Sequence, residues 1–166
     1  SHIILPHEIV TIISEEKSEQ LNEINELMEK VNNIIIGIKG ILFHKASLIN
    51  LDFADLKSVM SNAGLAVIGT GVGWGENRAL LAVESAISST FMTDLKHSSA
   101  QHCLINVISG SEIHPEELDH VNTIIAKILP EDVLVIMGFN IDTELNSGEL
   151  MVTLVLAGLK KSKPVV

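Results

Sequence analysis

Short apolar segments alternate with amphipathic helical patterns along the chain, and this alternation constrains the fold more than any single motif. Apolar residues recur at intervals of three and four between Ser18 and residue 43, which predicts a long amphipathic helix. Shorter helical patterns begin at Phe53, at Glu76 or Asn77, and at Pro115. Buried strands are predicted at 3–5 and 65–68, and further strands at 103–108, 133–139 and 149–157. In the last of these, Leu150, Val152, Leu154 and Leu156 alternate onto one face.

The order β, α, α, β, α, β, α, β, β predicts an α/β fold. We expect a single layered domain with a central, mostly buried mixed sheet of about four to five strands, packed by helices and preceded by the long helix. Two details follow from the same patterns. Gly69–Gly75 is predicted to be a loop after its strand, and the last two strands are predicted to pair as an antiparallel hairpin with a long connection at 140–148.

Charge and hydropathy exclude several classes of partner. The formal net charge of −10 argues against binding to nucleic acid or to an anionic membrane surface, because both require clustered basic residues. No apolar run approaches the roughly 20 residues of a membrane helix, so we expect no direct membrane insertion and a cytoplasmic location. The lone Cys103 cannot form a disulfide within the chain. Ser1 and His2 are interpreted as a possible tag remnant, because a strand pattern starts at Ile3 without an initiator Met.

The segment from Asn50 to Asp55 is the strongest candidate for chemistry. It places one carboxamide and two carboxylates, Asp52 and Asp55, where a loop becomes a helix. The two acids lie three residues apart and therefore share one helix face. They can cap the helix and interact with its dipole. They can also hold and polarise a water molecule, as phosphoryl transfer requires, and spacing alone leaves both roles open.

Other motifs fit known chemistry less well. The glycine run Gly69–Gly75 fails the dinucleotide pattern because position 74 is Trp, and it lacks the Lys of a P-loop. Its glycines are therefore predicted to allow backbone turns and close approach of a helix. The seven histidines form no H-E-x-x-H motif or Cys/His cluster, so no metal site is predicted. No G-x-S-x-G motif is present, and Cys103 lies on a predicted buried strand rather than at a helix start. A free-standing small-molecule enzyme therefore has no candidate pocket residues in this sequence.

Several motifs, in order, resemble the FtsZ family, the bacterial relatives of tubulin. Residues 50–60 resemble the synergy loop and following helix, N-x-D-F-A-D-V/L-x-x-V/I-M. Residues 68–79 are similar to M-G-x-G-x-x-x-G-E/D-D/N-R-A, with Ile68 in place of Met and with Trp74 where the family usually has a small residue. Further similar segments are 3–8, 86–89, 106–110 and 152–158, so the resemblance covers almost the whole chain.

The resemblance implies a fold and an organisation. The chain would be the C-terminal domain of an FtsZ, at 1–166, and the GTP-binding domain of the parent protein would lie outside it. Within the chain, the resemblance gives an initial strand and linker at 3–17, the long helix at 18–43, the synergy loop at 44–57, an α/β core at 58–159 and a tail at 160–166.

The resemblance also implies a function. FtsZ subunits stack head to tail, and the synergy loop of one subunit completes the GTPase site of the next. Asp52 and Asp55 would orient and polarise the attacking water, and Asn50 would help to position the nucleotide or that water. The neighbouring subunit would be contacted by Leu51, Phe53, Ala54 and Lys57.

Cofactors and partners follow from the same resemblance. The parent protein would be a GTPase that uses GTP and Mg, whereas this domain alone would bind no cofactor and would be inactive. Other FtsZ subunits and division-ring proteins would be its partners, at the division site. The alternative is a non-catalytic protein-interaction module, in which Asp52 and Asp55 only cap a helix.

Overall fold

The structure is a computed structural model that describes residues 2–3, 19–43, 47–49, 51–61, 63–89, 99–143 and 145–160. Its helices are α1 (Glu19–Phe43), α2 (Phe53–Met60), α3 (Arg78–Ile87) and α4 (Pro115–Ile128). Its strands are β1 (His2–Ile3), β2 (Ser47–Ile49), β3 (Leu65–Trp74), β4 (His102–Ser109), β5 (Leu134–Ile141) and β6 (Glu149–Leu159). The predicted initial strand and linker at 3–17 and the predicted tail at 160–166 lie outside the described residues, apart from Ile3 and Lys160.

The described strands form one mixed sheet in the order β1-β3-β6-β4-β5-β2. The expected mixed α/β sheet is confirmed, with six strands rather than four to five because the short strands β1 and β2 add one edge each. β4 and β5 are parallel, whereas β6 is antiparallel to both β3 and β4. The carboxyl ends of β3, β4 and β5 therefore lie at the same end of the sheet.

The predicted hairpin of the last two strands is wrong, because β6 pairs with β3 and β4 rather than with β5. The burial of the strands gives the physical reason. Residues 150–159 of β6 are buried on both faces, as expected for a central strand covered by helices on each side. Leu134 and Val135 at the start of β5 are exposed, which suits a strand near the edge.

Helices cover both faces of the sheet and create two apolar clusters. The larger cluster packs α3 and α4 against one face, with Val83 and Val121 among its fully buried members. The other cluster packs α1 and α2 against the opposite face through Ile41 and Val59. The alternating side chains of β6 divide between the two clusters, so this strand holds the layers together.

Glycines allow helices to pack closely on the sheet, which confirms one of the two structural roles predicted for the run Gly69–Gly75. The run Gly69–Gly75 is not a loop, because β3 continues to Trp74, and Gly71 and Gly73 lie directly under the backbone of α3. A Cβ at either position would overlap α3, so the glycines allow close helix packing. Gly37 and Gly40 lie within α1, and both face the sheet, where a Cβ would overlap side chains of β6 and β4.

Candidate functional site

The start of α2 is fixed by reciprocal hydrogen bonds between two acidic residues. Asp52 is the N-cap, with extended backbone angles, and its Oδ1 accepts from the backbone N–H of Asp55 at 2.9 Å. Oδ2 of Asp55 accepts from the backbone N–H of Asp52, also at 2.9 Å. This capping box satisfies two backbone donors that the first turn of a helix otherwise leaves unpaired. The predicted capping role of the two acids is therefore confirmed.

Apolar contacts attach α2 to the sheet. Leu51 immediately precedes the N-cap and is only 3% exposed, and Val59 on the last turn is fully buried. Both residues belong to the cluster on the α1 face of the sheet. Leu56 and Met60 are partly buried against the same cluster. The inner face of α2 is thus fixed at both ends, and the polar start of the helix points away from the core.

The predicted interface residues do not share one environment. Phe53 is 66% exposed, and Ala54 and Lys57 are also exposed, so these side chains are available to another molecule. Leu51 is the exception, because its side chain lies in the core. Asn50, the third predicted catalytic residue, lies outside the described residues.

Each of the two acids keeps one oxygen available for chemistry. The capping box uses Oδ1 of Asp52 and Oδ2 of Asp55. The second oxygen of each carboxylate accepts no hydrogen bond from any described residue. Carboxylate oxygens that are free of protein donors can accept hydrogen bonds from a water molecule and orient it. The capping bonds hold the acids in place without occupying all of their acceptors.

Among the described residues there is neither a cluster of three metal-binding side chains nor a phosphate-binding arrangement of the glycine run. No group of three His, Cys, Asp or Glu side chains in the described ranges is arranged to hold a metal. The glycine run belongs to β3 and packs under α3, so its backbone is not arranged as a phosphate-binding loop.

A second polar centre, which the sequence reasoning missed, surrounds the buried residue Arg78. Its Nε donates to Oε1 of Glu117 at 2.6 Å, and its Nη2 donates to Oε2 of the same carboxylate at 3.0 Å. The remaining N–H groups donate to Ser111 Oγ and to the backbone carbonyls of Glu112 and Ser147. All five N–H donors of the guanidinium are therefore satisfied.

This centre joins the first residue of α3 to the first turn of α4. The Arg78 hydrogen bond is the main cause that lowers the pKa of Glu117, against an opposing effect of burial. The same bond raises the pKa of Arg78. An open cleft of about 690 Å³ lies beside the pair, at the carboxyl ends of the parallel strands. Because every donor of Arg78 is used, we interpret this centre as structural.

Comparisons with known proteins agree with the fold. The sequence model described as FtsZ family, C-terminal domain, matches residues 64–160. A cell division protein FtsZ from Coxiella burnetii is 40% identical over 131 residues, which cover 77% of this chain and 34% of that protein. The mitochondrial division protein fszA from Dictyostelium discoideum is 33% identical over 162 residues, which cover 96% of this chain and 30% of that protein.

Comparison with a solved structure also places the chain in the FtsZ family. The empty FtsZ dimer of M. jannaschii matches with a TM-score of 0.70 and 29% identity, covering 96% of this chain and 48% of that one. This chain therefore spans less than half the length of the relatives that it matches. Within the described residues, every helix is too short or too polar to cross a membrane. The match of the family model over more than half of the chain establishes that the chain belongs to the FtsZ family, as its C-terminal domain.

Proposed function

We propose that this domain supplies the catalytic acids to the GTP site of an adjacent subunit in a head-to-tail filament of a cell division GTPase. The observation that carries the proposal is the pair Asp52 and Asp55, which is held rigidly by the capping box and keeps one acceptor oxygen on each carboxylate. Rigid placement of charged groups is what phosphoryl transfer requires from a protein besides the nucleotide site itself.

The surroundings of the two acids support contact with a second molecule. Phe53 lies between them in sequence and is largely exposed, and Ile49 on β2 is also exposed. An apolar surface beside charged groups is typical of a protein interface. We infer that Phe53, Ala54 and Lys57 contact the neighbouring subunit, whereas Leu51 supports this contact from inside the domain.

The exposed face of α1 supports a longer parent protein. Met28, Ile35 and Ile36 are exposed on the side of α1 that points away from the sheet. An apolar helix face of this kind usually packs against another structural unit. We propose that it packs against a GTP-binding domain of the same polypeptide, which would hold GTP and Mg.

In this proposal the residues of this chain act on water. The two unused oxygens, one from Asp52 and one from Asp55, accept hydrogen bonds from a water molecule and direct it at the terminal phosphate held by the neighbour. One acid accepts the proton as the water oxygen bonds to phosphorus and the bond to the leaving nucleoside diphosphate breaks. Asn50 assists in positioning the nucleotide or the water.

The rival function is a protein-interaction module in which the acids only cap α2. The capping box by itself favours this rival, because it gives both acids a structural role. Substitutions by Asn separate the two functions, because Asn caps helices as well as Asp but cannot accept a proton.

The experiment measures GTP hydrolysis by the full-length protein with Asp52→Asn and with Asp55→Asn. We expect turnover to fall by about 100-fold or more in each variant, because general acid–base groups contribute at least that much. The free energy of unfolding should change by less than about 0.5 kcal/mol in Asp52→Asn, because Asn retains the N-cap hydrogen bond. Sedimentation should show that both variants still assemble with GTP.

The control is Asp52→Ala, which removes the cap as well as the carboxylate. It should lower the free energy of unfolding by about 1 kcal/mol and should lose turnover to the same extent as Asp52→Asn. Wild-type turnover in Asp52→Asn and Asp55→Asn would contradict the catalytic proposal and favour the rival. The isolated 166-residue chain should hydrolyse no GTP on its own.

A further inference from the structure

The chain leading into α2 packs directly on Gly138 of β5. A Cβ at this glycine would overlap Cγ of Leu51 and would lie 3.0 Å from its Cδ1. It would also lie 3.1 Å from the backbone carbonyl oxygen of Ile49. The missing side chain of Gly138 therefore leaves the space that Leu51 occupies, and no larger residue fits there without moving the segment that precedes Asp52.

The position of Leu51 determines how the chain enters α2. Leu51 directly precedes the N-cap Asp52, and Leu56 is the fourth residue of the helix. These are the two positions of a hydrophobic staple, which fixes the entry angle of a helix. Both side chains belong to the apolar cluster on the α1 face, Leu51 as a buried member and Leu56 as a partly buried one.

We propose that Leu51 and Gly138 are a positioning pair for the catalytic acids, an inference that rests on the function proposed above. Neither residue contacts the reacting atoms. The packing of the Leu51 side chain on the backbone of Gly138 fixes the start of α2, and the capping box transmits that position to both carboxylates. This role also explains why Leu51 is buried although it lies within the surface loop.

The chemistry makes this contact important. A displacement of about 1 Å in a catalytic group can lower a rate by about 100-fold. The contact between a Cβ at position 138 and Leu51 cannot be relieved by the far end of a flexible side chain, because Cγ is the branch point of the leucine. The relief must come from a shift of residues 49–52 or from an unfavourable Leu51 rotamer.

The test measures kcat for GTP hydrolysis in the full-length protein at saturating subunit concentration. Gly138→Ala is expected to lower kcat by at least about tenfold. The control is Val121→Ala, which removes buried methyl groups from α4 on the opposite face of the sheet. It destabilises the domain but should leave kcat within about twofold of wild type, because distant sites act independently.

A rescue variant separates positioning from general destabilisation. In Leu51→Ala/Gly138→Ala, the atoms that would overlap the new Cβ are removed. Its kcat should exceed that of Gly138→Ala by about fivefold or more, and it should also exceed that of Leu51→Ala, because residues in contact are energetically coupled. If Gly138→Ala does not fold, the kcat of Leu51→Ala is compared with that of the double variant. A higher kcat in the double variant supports the positioning role, and an equal or lower kcat contradicts it.

Three results would overturn the positioning role. The first is a kcat for Gly138→Ala close to that of wild type. The second is an equal loss of kcat in Val121→Ala, and the third is a kcat for the double variant no higher than that of either single variant. Asp52→Asn, measured in parallel, distinguishes this failure from failure of the proposed function. If Asp52→Asn loses turnover and Gly138→Ala does not, the acids are catalytic and only the positioning pair is wrong.

Discussion

The Arg78–Glu117 pair gives the strongest prediction about the stability of the domain. Arg78 is only 6% exposed, and Glu117 accepts hydrogen bonds from Arg78 and from the backbone N–H of His114. Glu117→Gln removes the negative charge, and its amide group presents N–H donors to the guanidinium. The substitution therefore leaves a buried cation without its counter-charge.

The expected loss in the free energy of unfolding follows from the general cost of breaking a buried ion pair. Breaking a buried ion pair by removing one partner costs about 3–5 kcal/mol. The amide retains one oxygen that can accept from Arg78 or from His114, so we expect a loss near the lower limit, about 3 kcal/mol. This is a large fraction of the roughly 5–15 kcal/mol that stabilises a domain of ordinary size.

Urea denaturation of the 166-residue chain at pH 7, followed by far-UV circular dichroism, measures this loss directly. The matched control is Glu116→Gln, because Glu116 is the preceding residue on the same first turn of α4 and is exposed. That variant should change the free energy of unfolding by less than about 0.5 kcal/mol. Equal effects of the two substitutions would refute the reasoning, because the buried pair would then contribute no more than a surface charge.

Three further predictions follow from the same coordinates. Because the pKa of Glu117 is lowered in the folded protein, its ionised carboxylate stabilises the fold fully above the ordinary pKa near 4.5. This stabilisation is lost as the pH falls below that value. Urea denaturation between pH 7 and pH 3 should show the loss in wild type and a smaller loss in Glu117→Gln. Burial raises the pKa of the Cys103 thiol to about 12, so the native chain should not react with a thiol reagent at pH 8. Rapid labelling of Cys103 before unfolding would contradict that placement. Trp74, the one tryptophan of the chain, is 52% exposed. Acrylamide should therefore quench its fluorescence in the native state nearly as well as in urea. Strong protection from quenching would contradict this exposure, because another part of the protein would then cover the ring.

Local features of this domain could be predicted from the sequence. α2 starts at Phe53 as expected, because Asp at the N-cap and an acid three residues later form a signal that needs no distant contact. The long helix α1 follows its apolar period to Phe43. The α/β class followed from the alternation of such elements. These features depend on residues within about one or two helical turns of one another.

Long-range features could not be predicted in the same way. The alternation of leucines in β6 predicted one buried face and a hairpin with β5, whereas residues 150–159 are buried on both faces between β3 and β4. Arg78 and Glu117 are 39 residues apart, and a single Arg at a helix start gives no sign of burial. Leu51 was assigned to the subunit contact because it lies in the loop, but its burial depends on Gly138 of β5, which the sequence order does not connect to it.

The central position of β6 has a consequence for how the polypeptide can be made. β6 is the last described strand in chain order, yet β3 and β4 are joined only through it. While residues 149–159 are still inside the ribosome, β3 and β4 each have an unpaired edge in the nascent chain. The central part of the sheet can therefore close only after residues 149–159 have left the ribosome. Until then, the open edges of β3 and β4 can pair with other chains.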